Sequence, residues 1–340
     1  MIFVTGGTGL IGSFLLHALR ARGLAVRALH RGAVPTGAAP GVEWLAGDLL
    51  DTELLRTALS PEVTHVFHCA GLVSYAPQDE DALLAVNVEG TAALVDACLA
   101  RPGIRLAHVS SVAALGGAAA SRAVAPGATQ PMDETATWDL GAAHGAYATS
   151  KYLGELEVWR GVAEGLSAVI VNPSVVLGPG DWHRSSTRLL RYAHQQHRFY
   201  TRGLVNFVDV RDLVAQLLAL ALDHPEIGGE RFVLSAEARP LADFFRQAAT
   251  AMHRRPPTVA VPDWAAELVW RFEHLRAVLT GARPLITKDT ARAGRRPVVY
   301  THAKVQRATG LGFRPLAETL AWCAAGLVEK PTGSSPVIVH

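Results

Sequence analysis

Thr5-Gly6-Gly7-Thr8-Gly9-Leu10-Ile11-Gly12 stands directly between a short apolar run, Ile2–Thr5, and a segment with helical spacing of apolar residues, Leu10–Ala21. The order strand, glycine cluster, helix has a chemical use. Glycines let an anion approach the helix N-terminus where no Cβ intervenes, and the unpaired N–H groups and helix dipole there stabilise its negative charge. Such a turn fits the pyrophosphate of a dinucleotide, with Gly6, Thr8, Gly9, Leu10, Ile11 and Gly12 as the expected contacts.

Outward from this loop, strand-length apolar runs alternate with helical patterns. Ala25–His30, Val42–Leu45, His65–Ala70, Leu106–Ser110 and Ala168–Asn172 continue the strands, and Asp79–Ala100 and Ala146–Glu164 the helices. Repeated βαβ units of this kind predict an α/β fold, a Rossmann-type doubly wound parallel sheet. After Pro173 the pattern breaks into the turn Gly178-Pro179-Gly180-Asp181 and an Arg/His/aromatic stretch through Arg202, followed by Phe207–Asp212 and the apolar helix Leu213–Leu222. The domain reading is a nucleotide-binding domain at 1–172 and 205–225, with a smaller, mostly helical substrate-binding part at 173–204 and 226–330. Residues 331–340 read as a loosely held tail.

Of the 340 residues, 49% are hydrophobic and only 18% charged, against about 25% charged in typical globular proteins. That balance excludes a disordered or coiled-coil chain. The apolar stretches Leu213–Leu222 and Leu320–Val328 fall short of the roughly 20 residues that span a bilayer, so no membrane span is expected. The start, Met1-Ile2-Phe3-Val4-Thr5, carries neither a basic leader nor a cleavable apolar stretch. Cys69, Cys98 and Cys323 sit in apolar runs without metal-type spacing, which suggests reduced, buried thiols, no metal and a cytoplasmic setting. Charge is divided unevenly: residues 1–239 hold 18 Lys/Arg against 23 Asp/Glu, and residues 240–340 hold 14 against 7. The basic part reads as a solvated face, and it contains no recognised nucleic-acid motif.

The end of the second strand separates two cofactors, because a carboxylate there bonds the ribose 2′-hydroxyl of NAD whereas an arginine accommodates the 2′-phosphate of NADP. No acid occurs between Val26 and Val42, and Arg31 lies at that strand's end. NADP is therefore expected, with NAD the lesser alternative. Tyr147 and Lys151, in Tyr147-Ala148-Thr149-Ser150-Lys151, fall four apart on one helical face. An ammonium beside a phenol favours the phenolate, and a tyrosine shifted toward neutrality can exchange a proton with a substrate oxygen.

Together these motifs resemble the extended short-chain dehydrogenase/reductases, the superfamily branch of NAD(P)-dependent epimerases and dehydratases, dihydroflavonol reductases and 3β-hydroxysteroid dehydrogenases. Gly47-Asp48-Leu49, Asn87-Val88-Glu89-Gly90-Thr91, Ser110-Ser111, Asn172-Pro173 and Phe207–Asp212 add to the match, which covers about residues 1–215. The resemblance implies that Asp48 and Leu49 meet the adenine, that Ala70 and Gly71 border the cofactor, and that Pro173 and Ser174 line the nicotinamide. It also implies Ser111, Tyr147 and Lys151 as the catalytic set, Lys151 holding the nicotinamide ribose as well, and Asn87 as a structural bond-former. Ser111 is preferred to Ser110 because the family's serine usually stands five residues before a glycine, here Gly116.

Val112 and Ala113 follow Ser111 where 4,6-dehydratases carry an Asp-Glu pair, and Ala113 stands where fucose-synthase types carry cysteine. Those chemistries are disfavoured. What remains is hydride transfer between nicotinamide and a secondary alcohol or ketone, a nucleotide-sugar 4-epimerase with tightly held cofactor, or a non-catalytic NADPH-binding sensor. Trp182, His183, Arg184 and Arg188 occupy the family's substrate segment and are the substrate candidates. The amphipathic segment Trp264–Leu279 reads first as core packing, with the roof of an apolar substrate or a membrane-surface helix as its alternatives. The expected partner is a small-molecule substrate, and the resemblance adds a homodimer through a helical interface.

Overall fold

The computed structural model describes residues 1–116, 131–180, 187–280 and 298–328. Its main sheet is built from β1 (Ile2–Thr5), β2 (Val26–His30), β3 (Glu43–Ala46), β4 (His65–His68) and β5 (Arg105–Val109). After β6 (Pro131–Met132), which lies outside this sheet, β7 (Ser167–Pro173) rejoins it. All pairings are parallel, in the order β3-β2-β1-β4-β5-β7, the doubly wound arrangement with its crossover beside β1. Alternate residues explain why these runs become covered strands: Ile2, Val4, Phe67, Val169 and Val171 pack on one face, and Phe3, Val66, Leu106, Ala168 and Ile170 on the other.

α1 (Leu10–Ala21) covers the first face, and α2 (Thr52–Ala58) covers the second. On that second face α2 is joined by a long helix made of α3 (Glu80–Leu84), a π turn at Ala85–Glu89 and α4 (Gly90–Leu99). α5 (Ala146–Ala163) lies against it. The run Pro77–Leu99, with mean hydropathy 1.5 over its most apolar window, is long and apolar enough to cross a membrane by length and composition. It is longer than either stretch weighed from the sequence. Leu83, Asn87, Thr91, Leu94 and Val95 are nevertheless buried against the protein, and Gly154 of α5 sits so close that a Cβ there would lie 2.2 Å from the Asn87 carbonyl oxygen. That is the environment of a core helix.

The remaining strands are β8 (Val175–Leu177), β9 (Phe199–Thr201), β10 (Leu204–Asp209), β11 (Glu230–Leu234), β12 (Glu237–Pro240), β13 (Val259–Val261) and β14 (Val299–Tyr300). β11 pairs in parallel with β7 as the seventh strand of the main sheet, although it comes from the 226–330 stretch assigned to the substrate part. Conversely β10, grouped by sequence with the nucleotide domain, pairs with β8 and β12 in a separate three-stranded sheet. The chain thus crosses between its two parts more often than composition suggests.

The helices of the second half are α6 (Arg188–His194), α7 (Val210–Leu218), α8 (Leu241–Ala251), α9 (Asp263–Thr280), α10 (Ala303–Thr309) and α11 (Leu316–Val328). Leu177, Leu190, Phe207, Phe244 and Leu320 form the smaller core. α9 departs from the core-packing expectation. Trp264, Leu268 and Phe272, at i, i+4 and i+8, are 69%, 56% and 68% exposed, because their shared face carries no neighbouring layer among the described residues.

Candidate active site

The glycine loop forms at the C-terminal end of β1 as the strand–helix order demands. Gly6 has φ +73°, and a Cβ on it would lie 2.4 Å from the Ala70 amide nitrogen at the end of β4. A Cβ on Gly12 would lie 2.2 Å from the Gly6 carbonyl oxygen, so α1 can pack this closely on its own loop only with glycine there. Thr8 and Gly9 are exposed, with Leu10 and Ile11 partly so. Gly9 caps α1 without a side-chain bond and no acid lies in the first turn, which leaves the helix dipole available to a pyrophosphate. These residues fit a dinucleotide cradle.

Beyond the ends of β2 and β3, Arg31 and Asp48 form an ion pair at 3.6 Å, and Asp48 accepts the Leu50 amide at 3.0 Å. The residue expected to select the ribose phosphate and the one expected to meet the adenine therefore touch. Leu49 is buried against Gly90.

Ser111, Tyr147 and Lys151 are brought together from different elements. Ser111 follows β5 and caps a 3₁₀ turn, Val112–Leu115, accepting the Ala113 amide at 3.2 Å. Tyr147 is the second residue of α5, where its ring meets Tyr75 edge-on at 5.5 Å and Ser111 lies close enough to act on its phenol. Lys151, one turn on, is buried and donates to the Val109 carbonyl at 3.0 Å. Ser110 turns inward and donates to Glu155 at 2.7 Å, so the adjacent serines point to different neighbours.

The electrostatics differ from the sequence expectation. Burial holds the Tyr147 phenol above its ordinary value, with Tyr75 adding to the rise and the nearby Ser111 opposing it. Lys151 does not lower it, because the ammonium is directed to the Val109 carbonyl. Burial pushes Lys151 itself down to about 8, against the fields of Glu155 and Cys69. In this arrangement the phenol is an acid that keeps its proton at neutral pH.

Gly71 borders the group, and a Cβ there would lie 3.3 Å from Asn87 Oδ1 and 3.7 Å from Lys151 Nζ. Asn87, in the π turn, accepts the Leu72 amide at 2.7 Å and donates to the Leu72 carbonyl at 3.0 Å and to Ser150 at 2.9 Å. It ties the loop after β4 to α5. Pro173 ends β7, and the Ser174 amide donates to the Leu234 carbonyl at 3.0 Å while its hydroxyl is buried without a partner. Arg188 is exposed in the first turn of α6. Trp182, His183 and Arg184 lie outside the described residues, as does the 331–340 tail.

Several polar residues at the site were not singled out from sequence. Glu155 is one. It continues the Tyr147–Lys151 face at i+8 and i+4, a signal that was available. His68 and His108 are others, paired across β4 and β5 with ring centroids 5.0 Å apart. His68 is hydrogen-bonded to Thr5 at 2.7 Å and to Thr91 at 3.0 Å, whereas neither His108 ring nitrogen has a partner among the described residues.

The model of the NAD dependent epimerase/dehydratase family matches residues 2–235. The chain belongs to that family. It is an extended short-chain dehydrogenase/reductase, an enzyme of the NAD(P)-dependent oxidoreductase/epimerase class. A dihydroflavonol 4-reductase-like protein of Synechocystis sp. is 32% identical over 94% of this chain and 92% of its own. Sterol demethylase protein B of Methylococcus capsulatus is 34% identical over 76% of both chains. Among solved structures, gox2253 superposes with a TM-score of 0.79 at 30% identity, covering 96% of this chain and 97% of its own.

Proposed function

We propose that this enzyme is an NADP-dependent reductase that interconverts a ketone and a secondary alcohol. The observation that carries the reading is Ser111 after β5 brought beside Tyr147, with Lys151 one helical turn away and donating to the Val109 carbonyl. Ser111 holds the substrate oxygen and Tyr147 gives it a proton. The phenol carries its proton at neutral pH, as an acid must when the oxygen takes on charge, while its burial makes it a weaker acid than a phenol in water. Lys151, near 8, is charged at neutral pH and stands one helical turn from the phenol, donating to the Val109 carbonyl. The nicotinamide cofactor, when bound, supplies the hydride. Gly6, Thr8, Gly9, Leu10, Ile11 and Gly12 hold its pyrophosphate, while Arg31, Asp48 and Leu49 take the adenosine end. Ala70, Gly71, Pro173 and Ser174 line the nicotinamide side, and Lys151 takes its ribose.

Arg31 is the reason for choosing NADP. Its partner Asp48 is held only at the exposed rim, so a 2′-phosphate can draw the guanidinium away at little cost. The similarity to a dihydroflavonol 4-reductase-like protein supports reduction of a carbonyl, and the family's description supports 4-epimerisation as the second reading. The test is incubation with NADPH and a panel of dihydroflavonols, cinnamoyl-CoA, 3-ketosteroids and UDP-sugars. Substrate-dependent loss of NADPH absorbance is expected. Sugar conversion without net cofactor change would establish the epimerase instead, and binding of NADPH with no turnover of any panel member would overturn the reading in favour of a sensor.

A further inference from the structure

Glu155 is 2% exposed and accepts four hydrogen bonds. Oε2 takes Ser110 Oγ and Asn172 Nδ2, each at 2.7 Å; Oε1 takes Arg231 Nη1 at 3.2 Å and Trp159 Nε1 at 3.3 Å. A carboxylate at this depth is tolerable only when paired and fully bonded. Asn172 spends its other amide proton on the Ser111 main-chain carbonyl at 3.0 Å. A continuous chain of bonds thus runs from the Tyr147–Lys151 helix, across the end of β7, to the backbone of Ser111.

From this geometry we propose that Glu155 is a positioning residue: through Asn172 it fixes the backbone of Ser111, and with it the direction in which the Ser111 hydroxyl meets the substrate oxygen. The inference rests on the reading of Ser111 given above. Strand pairing does not need this network, because β5 and β7 are already in register from Arg105↔Ser167 to Val109↔Val171, and the Ser110 amide donates to the Val171 carbonyl beyond it. What the ladder cannot set is the turn of the chain after Ser110. Arg231 anchors the carboxylate from behind, since it is itself held by the Glu134 and Ala136 carbonyls. The same carboxylate faces Lys151, as do Tyr147 on its own helix, Cys69 and His68 after and on β4, and His108 on β5. Both histidines are held neutral by burial, so Glu155 is the negative charge that supports the ammonium.

Two variants separate the roles. Glu155→Gln places an amide donor against donors on one side of the network and removes the charge; Asn172→Ala cuts the link to Ser111 and keeps the charge. Using NADPH and the panel carbonyl reduced fastest, kcat should fall about 10- to 100-fold in both, with KM changed less than about threefold, the size expected from a misplaced reacting group. NADPH affinity, read by fluorescence, should stay within about twofold of the parent. The alkaline limb of the pH–kcat profile should move to lower pH in Glu155→Gln and stay in place in Asn172→Ala. If Glu155→Gln does not fold, Asn172→Ala alone decides. Unchanged kcat in Asn172→Ala, with Ser111→Ala inactive, overturns the positioning role alone. Full activity in Ser111→Ala overturns the reading on which it rests.

Discussion

Arg31 and Asp48 meet at 3.6 Å with 66% and 45% of their side chains exposed, whereas Arg231 and Glu155 meet at 3.2 Å with 20% and 3% exposed. Both are arginine–carboxylate pairs in the nucleotide-binding half, and they serve opposite needs. In water a pair of the first kind contributes about 0–1 kcal/mol, so a ligand phosphate can rearrange it. Breaking a pair of the second kind strands a charge away from solvent at about 3–5 kcal/mol, so it stays assembled through turnover. The exposed pair is free to yield, and the buried pair behind the Ser111–Tyr147–Lys151 cluster holds still.

The largest expected effect lies at the rigid end. Tyr147→Phe should leave NADPH binding within about twofold and lower kcat by about 10²- to 10⁴-fold, the range for losing a positioned acid. Turnover at the parental rate would remove Tyr147 from the mechanism. Next, Glu155→Ala should destabilise the fold by about 3 kcal/mol in urea unfolding, whereas Asp48→Ala should cost less than about 1 kcal/mol. Equal losses would erase the contrast between the two pairs.

A third test uses acid. Burial holds His68 down to about 3 and His108 well below its ordinary 6.5, with Lys151 adding to both. The unfolded chain takes up protons near pH 6.5 that the folded one refuses. The stability is therefore complete above pH 6.5 and is lost as pH falls toward 3. Each such group contributes about 1.4 kcal/mol per pH unit to the slope, so His108→Leu should reduce it by about that amount. Urea titrations at pH 6, 5 and 4 read it; an unchanged slope would show that His108 is not held neutral. Last, Arg31→Ala should weaken NADPH about tenfold and leave NADH nearly unchanged, about 1.4 kcal/mol of discrimination. Equal weakening of both would make Arg31 a general rim charge.

How much of this was legible follows the same division. β1, β4, β5 and β7 could be read because each is a run buried inside the sheet, β3 although it stands half-exposed at the edge, and Leu10–Ala21 because its apolar residues recur at helical spacing. β11 escaped because it opens with Glu230-Arg231, which resembles surface; in the fold those charges bind Lys304 and Glu155. α2 escaped as well, seven residues whose start is marked by Asp51 accepting the Leu54 amide. Tyr147 and Lys151 were legible from spacing, but the direction of the phenol's shift was not, because it depends on where Lys151 Nζ points and on how deep the ring sits. Glu155 lay on the marked helical face, yet burial of a single glutamate leaves no trace in one sequence.

Hydride transfer from cofactor to a substrate carbonyl carbon, with the proton from Tyr147, is the central claim. Reduction of the active panel carbonyl with NADPH deuterated at both C4 positions, followed by mass spectrometry of the product, tests it most directly. One deuterium on the carbinol carbon for each NADPH oxidised is the predicted result. An epimerised UDP-sugar, with the cofactor pool unchanged and no carbonyl reduced, would contradict it.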